Sequence, residues 1–209
     1  TKGVYEMGST FKLFTVAMAL DTGQVRLRDR YDATKPIKVS RFTISDYHAQ
    51  NKWMSVPEII VHSSNIGAAK MALDVGTSNQ KRYLKRFGML SPAQIELLEV
   101  GAPLTPDHWR EINTMTIAFG HGIAISPLQL AMGTSALVNG GILLDTTLVK
   151  LAKNAKPVGV RVIKPKTSQM IRDLMRLVVR QGTGKKAEVP GYFVGGKTGT
   201  ADKPGVGQR

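Results

Sequence analysis

The stretch Ser9-Thr-Phe-Lys-Leu-Phe-Thr-Val-Ala-Met-Ala-Leu20 predicts a helix that is buried on most of its sides. Its apolar residues cover a surface too wide for a helix with one solvent-facing side, and Gly23 follows as a stop signal. Ser9 and Lys12 are three residues apart at the start of this helix, so their side chains share one face and can touch. The sequence therefore predicts a buried helix that begins with a serine and a lysine in contact.

The composition is that of an ordinary globular domain, with 209 residues of which 42% are apolar and 21% are charged. No window reaches the roughly 18 consecutive apolar residues that a membrane span needs, and no signal-peptide pattern precedes the first predicted helix. Because the sequence begins at Thr1, we expect a piece of a longer protein whose membrane anchor lies elsewhere. The absence of cysteine excludes disulfides, thiolate metal sites and a cysteine nucleophile.

The net charge is +14, and the basic excess concentrates at residues 81–86, 150–166 and 180–186. Solvated helix faces and loops account most simply for such runs, although a basic surface can also bind anionic lipid or polymer. A nucleic-acid module is the weaker alternative, because Tyr83 is the only aromatic residue in these runs. Binding of single strands needs several stacking aromatic side chains.

Capping residues and helical spacing predict six further helices, expected at residues 55–62, 66–75, 77–87, from 91, 126–138 and from 167. Ser55 and Glu58 give the clearest start, because they complete a capping box around Pro57. A break is expected at 63–65. Short alternating runs at 37–39 and 42–44 predict a small hairpin.

The segment Gly191-Tyr-Phe-Val-Gly-Gly-Lys-Thr-Gly-Thr200 fits two functional patterns, the phosphate loop GxxxxGK[ST] and, from Lys197, the triplet Lys-Thr-Gly. A phosphate loop needs a helix that begins at its Lys-Thr pair. Residues 199–209 contain three glycines and a proline, which favour turns. The bulky side chains at 192–194 favour instead a strand over 191–198.

Two other motifs precede Lys197-Thr-Gly199, namely Ser9-x-x-Lys12 and Ser63-Ser-Asn65. One such match alone is weak, since Ser78-Asn-Gln-Lys81 is a second Ser-x-x-Lys, and we interpret that copy as part of a basic helix face. The trio in this order matches the S-x-x-K, S-D-N and K-T-G signature of serine acyltransferases, with Ser64 where the signature has aspartate.

Longer stretches support a family resemblance: Tyr5-Glu-Met-Gly-Ser-Thr-Phe-Lys12, His62-Ser-Ser-Asn-Ile-Gly67, Ser126-Pro-Leu-Gln-Leu-Ala131, Val138-Asn-Gly-Gly141 and Lys197-Thr-Gly-Thr-Ala201. The chain resembles the transpeptidase domain of class B penicillin-binding proteins, most like the division-associated septal type. Met7 and His121 depart from this resemblance, because proline and an aromatic residue are common at their places. Neither departure removes a reacting group.

The resemblance implies an α+β fold of the penicillin-binding protein and serine β-lactamase type, in which a helical lobe packs on an antiparallel sheet. It implies a partial transpeptidase domain over 1–209, with the serine helix and mainly helical lobe at 1–190 and a sheet strand carrying Lys-Thr-Gly at 191–200. The family has further strands before the serine motif and after Lys-Thr-Gly. We therefore expect the 191–200 strand to have unpaired edges, and we do not expect the chain by itself to be active.

The resemblance also assigns catalytic roles. Ser9 would be the nucleophile, acylated by a peptide that ends in D-Ala-D-Ala, and Lys12 would be its base. Lys12 can accept a proton only when neutral, and burial, the helix N-terminus and the charge of Lys197 would lower its pKa. Ser63 would relay a proton, and Asn65 would hold the substrate backbone and Lys12.

Substrate binding is assigned to the second half of the 191–200 segment. Lys197, Thr198 and Thr200, around Gly199, would receive the substrate carboxylate through a cation and two hydroxyls. The backbone amides of Ser9 and Thr200 would form an oxyanion hole.

The implied reaction is a peptidoglycan cross-link, formed when an amine of a neighbouring peptide attacks acylated Ser9. A β-lactam would acylate the same serine, and since no deacylating carboxylate is assignable, we expect a stable acyl-enzyme and not a β-lactamase. No cofactor is implied, and the four histidines lack metal-ligand spacing.

The implied partners are stem peptides ending in D-Ala-D-Ala, β-lactam antibiotics and cell-division proteins, at the periplasmic face of the bacterial inner membrane. Two alternatives stay open. One is a non-catalytic fragment that binds peptide, β-lactam or a division partner, and the other is a basic nucleic-acid-binding module.

Overall fold

The computed structural model describes residues 2–201, and these residues are mainly helical. In chain order the helices are α1 (Lys12–Thr22), α2 (Val56–His62), α3 (Asn65–Val75), α4 (Thr77–Arg86), α5 (Glu111–Ile117), α6 (Pro127–Val138) and α7 (Pro165–Gln181). Short 3-10 turns cover Gly8–Phe11 and Lys185–Ala187. None of the helices in this described part is long and apolar enough to cross a membrane.

Three antiparallel pairs of short strands accompany the helices. Strand β1 (Arg30–Asp32) pairs with β4 (Trp53–Ser55), β2 (Ile37–Val39) pairs with β3 (Phe42–Ile44), and β5 (Ile142–Leu144) pairs with β6 (Gly159–Arg161). The β2–β3 hairpin was expected from its alternation and is confirmed, whereas the other two pairs join runs that are distant in sequence. The architecture is α+β, as predicted.

Helix α1 is the central element, since every residue from Lys12 to Asp21 is buried. It packs against α3, α4 and α7, and it ends at Gly23, which has φ +76°. This left-handed conformation costs glycine little because it has no Cβ. The predicted helix is confirmed, with its first turn wound as the 3-10 turn Gly8–Phe11.

A buried carboxylate ties α1 to its neighbours. Asp21 accepts hydrogen bonds from the hydroxyl of Tyr83 at 2.7 Å, from the backbone N–H of Lys164 at 2.7 Å and from the hydroxyl of Thr167 at 2.8 Å. A buried charge of this kind is stable only with several donors around it. The contact fixes the end of α1 against α4 and the start of α7.

The break predicted between the second and third helices is confirmed. The capping box of Ser55 and Glu58 starts α2, with the Ser55 N–H donating to the Glu58 carboxylate at 2.8 Å. Helix α2 ends at Ser63, which has the left-handed angles φ 58° and ψ 42°. Ser64 then caps α3 by accepting from the Gly67 N–H at 2.9 Å. The chain therefore turns sharply at Ser63.

Two sequence predictions about secondary structure are wrong. Residues 91–110 form no helix, and the Ser91 carbonyl in this loop accepts a hydrogen bond from the side-chain amide of Gln129 at 2.9 Å. Residues 191–198 form no strand, since no other strand in the described part of the chain lies beside them. Their contacts are with α7, where the Gly196 N–H donates to the Met175 carbonyl at 3.2 Å.

One unpredicted helix and one helix boundary also differ from the predictions. Helix α5 was not anticipated, and α7 begins at Pro165, slightly before the expected start at Thr167. Proline favours the first turn of a helix, where its missing N–H is not needed.

Candidate active site

The Lys12 ammonium is the centre of the site. Lys12 is fully buried, and its Nζ donates to Ser9 Oγ at 2.7 Å, to the Ser63 carbonyl at 2.7 Å and to Ser63 Oγ at 3.1 Å. These acceptors match the three protons of an ammonium group. The predicted contact between Ser9 and Lys12 is present, and Ser63 joins it from 51 residues further along the chain.

Ser63 bridges two lysines. Its hydroxyl oxygen accepts from Lys12 and also from Lys197 Nζ at 2.9 Å. Ser63 ends α2 in a left-handed turn, and from this turn its hydroxyl reaches Lys12 at the start of α1. The first, second and third sequence motifs therefore meet at a single hydroxyl group.

The electrostatics of the site lower the pKa of Lys12, so that near neutral pH part of it is the ammonium described above and part is neutral. Burial, followed by the charge of Lys197, lowers the pKa of Lys12 from 10.5 to about 7, and Asp46 opposes this shift. Burial alone lowers the pKa of Lys197 to about 8. Near neutral pH the site thus offers a base at Lys12 and a cation at Lys197.

The segment that follows Lys197 lies along the start of α1. Thr198 Oγ1 is 2.7 Å from Thr183 Oγ1, and Lys197 Nζ also donates to the Thr198 carbonyl at 3.0 Å. A Cβ added to Gly199 would lie 2.8 Å from Thr10 Cγ2 and 3.0 Å from the Met7 carbonyl oxygen, so this segment packs closely on the residues around Ser9. Thr198 and Thr200 are both exposed, and the Thr198 hydroxyl is hydrogen-bonded to that of Thr183.

Three backbone segments meet at Gly8. Its φ is +53°, and an added Cβ would lie 2.0 Å from the Thr200 carbonyl oxygen. On the other side the Gly8 N–H donates to the Gly120 carbonyl at 3.3 Å, and a Cβ on Gly120 would lie 2.2 Å from the Gly8 oxygen. Close backbone packing thus sets the distance between Ser9 and the segment at 197–200.

The Gly8→Ala variant is expected to lose both stability and β-lactam acylation. Its methyl group would collide with the Thr200 backbone, and a collision with backbone cannot be relieved by a side-chain rotation. We expect about 2–4 kcal/mol of destabilisation, measured by denaturant unfolding.

The matched control is Gly23→Ala, which has a similar φ of +76° and no atom within 4 Å of the added Cβ. This control should lose only about 1 kcal/mol from backbone strain and should keep its acylation rate. Equal losses in the two variants would contradict the close approach of Gly8 and Thr200.

Asn65 does not hold Lys12, and this part of its predicted role is wrong. Its side-chain Nδ2 donates to the Ser45 carbonyl at 2.9 Å, while the three Lys12 donors are used by Ser9 and Ser63. Asn65 instead borders a cavity of about 450 Å³ between the β2–β3 hairpin and α5, with Phe119 and His121 also in its wall. The cavity opens beside the candidate site.

A contact between Glu6 and His121 holds the loop that precedes Ser9. The Glu6 carboxylate lies 2.8 Å from His121 Nδ1 and accepts from the Gly122 N–H at 2.8 Å. Sequence reasoning gave no role to Glu6, Asp46 or Thr183. The only signal was that Glu6 lies in the motif stretch at 5–12.

The second Ser-x-x-Lys copy builds no site. Ser78 is exposed on α4, and Lys81 Nζ lies 5.1 Å from the centroid of the Trp109 ring, as in a cation–π contact. Ser78 and Lys81 thus lie on an exposed basic face, as interpreted, whereas Gln80 between them is buried.

The helical lobe, with a serine, a buried lysine, a second serine and a second lysine in hydrogen-bond contact, defines the class of penicillin-recognising transpeptidase domains. The chain belongs to the penicillin-binding protein transpeptidase domain family, which matches residues 1–209.

Curated relatives support the class B, septal type. The chain is 45% identical over 203 residues to the probable peptidoglycan D,D-transpeptidase FtsI of Caulobacter vibrioides, covering 96% of this chain and 34% of that protein. It is 34% identical over 201 residues to the probable peptidoglycan D,D-transpeptidase PenA of Neisseria meningitidis, covering 95% of this chain and 34% of that protein. The chain thus spans about a third of the length of these relatives.

A solved structure supports the same fold. The transpeptidase domain of penicillin-binding protein 3 from Burkholderia pseudomallei aligns with a TM-score of 0.91 and 33% identity, over 100% of this chain and 63% of that one. The predicted family and fold class are confirmed.

Proposed function

We propose that the protein is a peptidoglycan D,D-transpeptidase of septal cell-wall synthesis that works through an acyl-enzyme on Ser9. The observation that carries this proposal is the buried Lys12 Nζ, which is hydrogen-bonded to both Ser9 Oγ and Ser63 Oγ. A serine hydroxyl is a weak nucleophile near neutral pH and needs an adjacent base. Lys12 is that base, because its lowered pKa leaves a share of it neutral.

In the acylation step, neutral Lys12 takes the proton of Ser9 Oγ as this oxygen attacks the carbonyl between the two D-alanines. The proton passes through Ser63 to the nitrogen of the leaving D-alanine, since Ser63 Oγ lies in contact with Lys12. Lys197, Thr198 and Thr200, with Gly199 between them, receive the terminal carboxylate. The backbone amides of Ser9 and Thr200 stabilise the oxyanion.

In the second step an amine of a neighbouring stem peptide attacks the ester. Its proton returns through Ser63 and Lys12 to Ser9 Oγ, a new amide forms, and the enzyme is restored. A β-lactam opens on Ser9 in the same way, but its leaving nitrogen stays attached to the acyl group. The ester with a β-lactam is therefore long-lived.

The relatives support the assignment of substrate and setting. FtsI of Caulobacter vibrioides and PenA of Neisseria meningitidis are probable peptidoglycan D,D-transpeptidases. By this likeness the substrates are stem peptides ending in D-Ala-D-Ala, the inhibitors are β-lactams and the partners are cell-division proteins. The setting is the periplasmic face of the inner membrane, with the anchor in a part of the protein other than this chain.

Peptide turnover tests the proposed function. The longest natural polypeptide that carries this sequence is incubated with a donor peptide ending in D-Ala-D-Ala and a second stem peptide with a free amine. We expect release of one D-alanine for each new amide, with both products lost in Ser9→Ala.

Penicillin labelling without any D-alanine release would instead favour a non-catalytic binding fragment. Absence of labelling together with oligonucleotide binding that weakens steeply with salt would favour a nucleic-acid module.

A further inference from the structure

We propose that Asp46 is a positioning residue for acylation, which holds the turn that carries Ser63 and supplies in space the carboxylate that the Ser63-Ser-Asn65 motif lacks in sequence. This inference rests on the proposed function. Asp46 lies two residues beyond the end of β3, and its carboxylate reaches the start of α3.

Ser45 and Asp46 accept hydrogen bonds from the three consecutive residues 64–66. Asp46 Oδ2 accepts from Ser64 Oγ at 2.7 Å, and Asp46 Oδ1 accepts from the Ile66 N–H at 2.9 Å. The carbonyl of Ser45 accepts from Asn65 Nδ2 at 2.9 Å. The backbone immediately after Ser63 is therefore held on one side by the end of the hairpin.

The hairpin is itself anchored, so it can act as a rigid support. Ile44, the last residue of β3, is buried against Ala69 of α3 and Met115 of α5. Asp46 follows this anchor by two residues, which leaves its carboxylate little freedom. A support of this kind is needed because Ser63 has a left-handed conformation that is strained for a residue with a side chain.

The carboxylate is more than a helix cap. Ser64 already caps α3 by accepting from the Gly67 N–H, and in doing so it leaves its own hydroxyl proton free to bind Asp46. In the S-D-N form of the motif a carboxylate stands at the middle position. Here Ser64 takes that position and Asp46 brings its carboxylate within hydrogen-bond distance of it.

Asp46 also acts on the site through its charge. The charged groups that act on Lys12 are Lys197, which lowers its pKa, and Asp46, which raises it. Loss of the Asp46 charge should therefore make Lys12 a base at lower pH. A residue that only stabilised the fold would not move the pH dependence of acylation.

The test measures the rate constant of acylation by a labelled penicillin across pH 5 to 9 on the longest natural polypeptide that carries this sequence. The variants are Asp46→Ala and Asp46→Asn. The matched control is Asp32→Asn, because the Asp32 carboxylate also accepts from a backbone N–H and a hydroxyl, both of Thr34, at 3.0 and 2.6 Å. Ser9→Ala is run beside them to test the proposed function.

We expect Asp46→Ala to slow acylation about 10- to 100-fold, since a displacement of about 1 Å at a reacting group can cost that much. Asp46→Asn should lose less, because its amide oxygen can still accept from Ile66 and its amide nitrogen can donate to Ser64 Oγ. The rising limb of its pH profile should move to lower pH, and Asp32→Asn should behave like the unaltered protein.

Several outcomes overturn the proposal and leave the proposed function intact. They are unaltered rate constants in both Asp46 variants, an unmoved rising limb in Asp46→Asn, or a smaller labelled fraction with an unchanged rate constant. The last result would mean that Asp46 affects only folding. By contrast, absent labelling of the unaltered protein, or labelling that survives in Ser9→Ala, overturns the proposed function and the role of Asp46 with it.

Discussion

Ser9→Ala is expected to abolish covalent labelling by penicillin. The ester in our account forms on Ser9 Oγ, and the one other hydroxyl in the described residues that accepts from Lys12, that of Ser63, has the role of proton relay in this account. The variant should remain folded, since it removes one partly buried hydroxyl and leaves two acceptors for Lys12 on Ser63. Gel fluorescence after incubation with a labelled penicillin measures the effect.

The second Ser-x-x-Lys copy provides the matched control. Ser78→Ala removes the serine of the same pattern from an exposed position on α4, and we expect its labelling to equal that of the unaltered protein. Loss of labelling in Ser78→Ala, or its persistence in Ser9→Ala, would mean that the pattern was assigned to the wrong copy.

Lys12→Met should slow acylation by about 10²- to 10⁴-fold, the range that a positioned general base contributes. Methionine has a similar length and fills the buried site, but it cannot accept the proton of Ser9 Oγ. The control is Lys81→Met, in which a lysine beside Trp109 is lost and the rate should not change. Stopped-flow or quenched labelling gives both rate constants.

The pH dependence of the free energy of unfolding provides a second test of the lowered pKa of Lys12. The pKa of Lys12 is about 7 in the folded protein and 10.5 is its ordinary value, so the unfolded state binds more protons between these pH values. The free energy of unfolding should therefore rise with pH from about 7 to 10.5 through this group. Lys12→Met should remove that contribution. An unchanged slope, or a rate like that of the unaltered protein, would contradict a buried, neutral base.

Features set by nearby residues could be predicted from the sequence. The serine helix, the contact of Ser9 with Lys12 and the turn at Ser63 all depend on spacing and capping within a few residues. The α2 start is another example, since Ser55 and Glu58 make their own hydrogen bonds.

Features set by distant partners could not be predicted in the same way. A strand needs a neighbour for its backbone hydrogen bonds, and the strand propensity of residues 192–194 could not reveal that α7 would lie beside this segment. The hydrogen bonds of Asn65 with Ser45 and of Thr198 with Thr183 form because separate elements pack together. The order of the three motifs matched a known signature, and the family resemblance then indicated that the three motifs meet in space.

The chemistry of the site shows the same division. Spacing indicated that Lys12 touches Ser9, whereas its complete burial depends on α3, α4 and α7 packing around α1. The contribution of Asp46 depends on a hairpin that carries no motif. Sequence patterns thus indicated candidate reacting groups, and the structure shows which residues surround them.

The central claim is tested most directly by locating the β-lactam adduct by mass spectrometry. The full natural protein that contains this sequence is acylated with a β-lactam. Its intact mass and the masses of its tryptic peptides are then measured. Our account predicts one adduct, in the peptide of residues 3–12 and on Ser9. An adduct on Ser63, on Ser78 or on any residue outside 3–12 would contradict it.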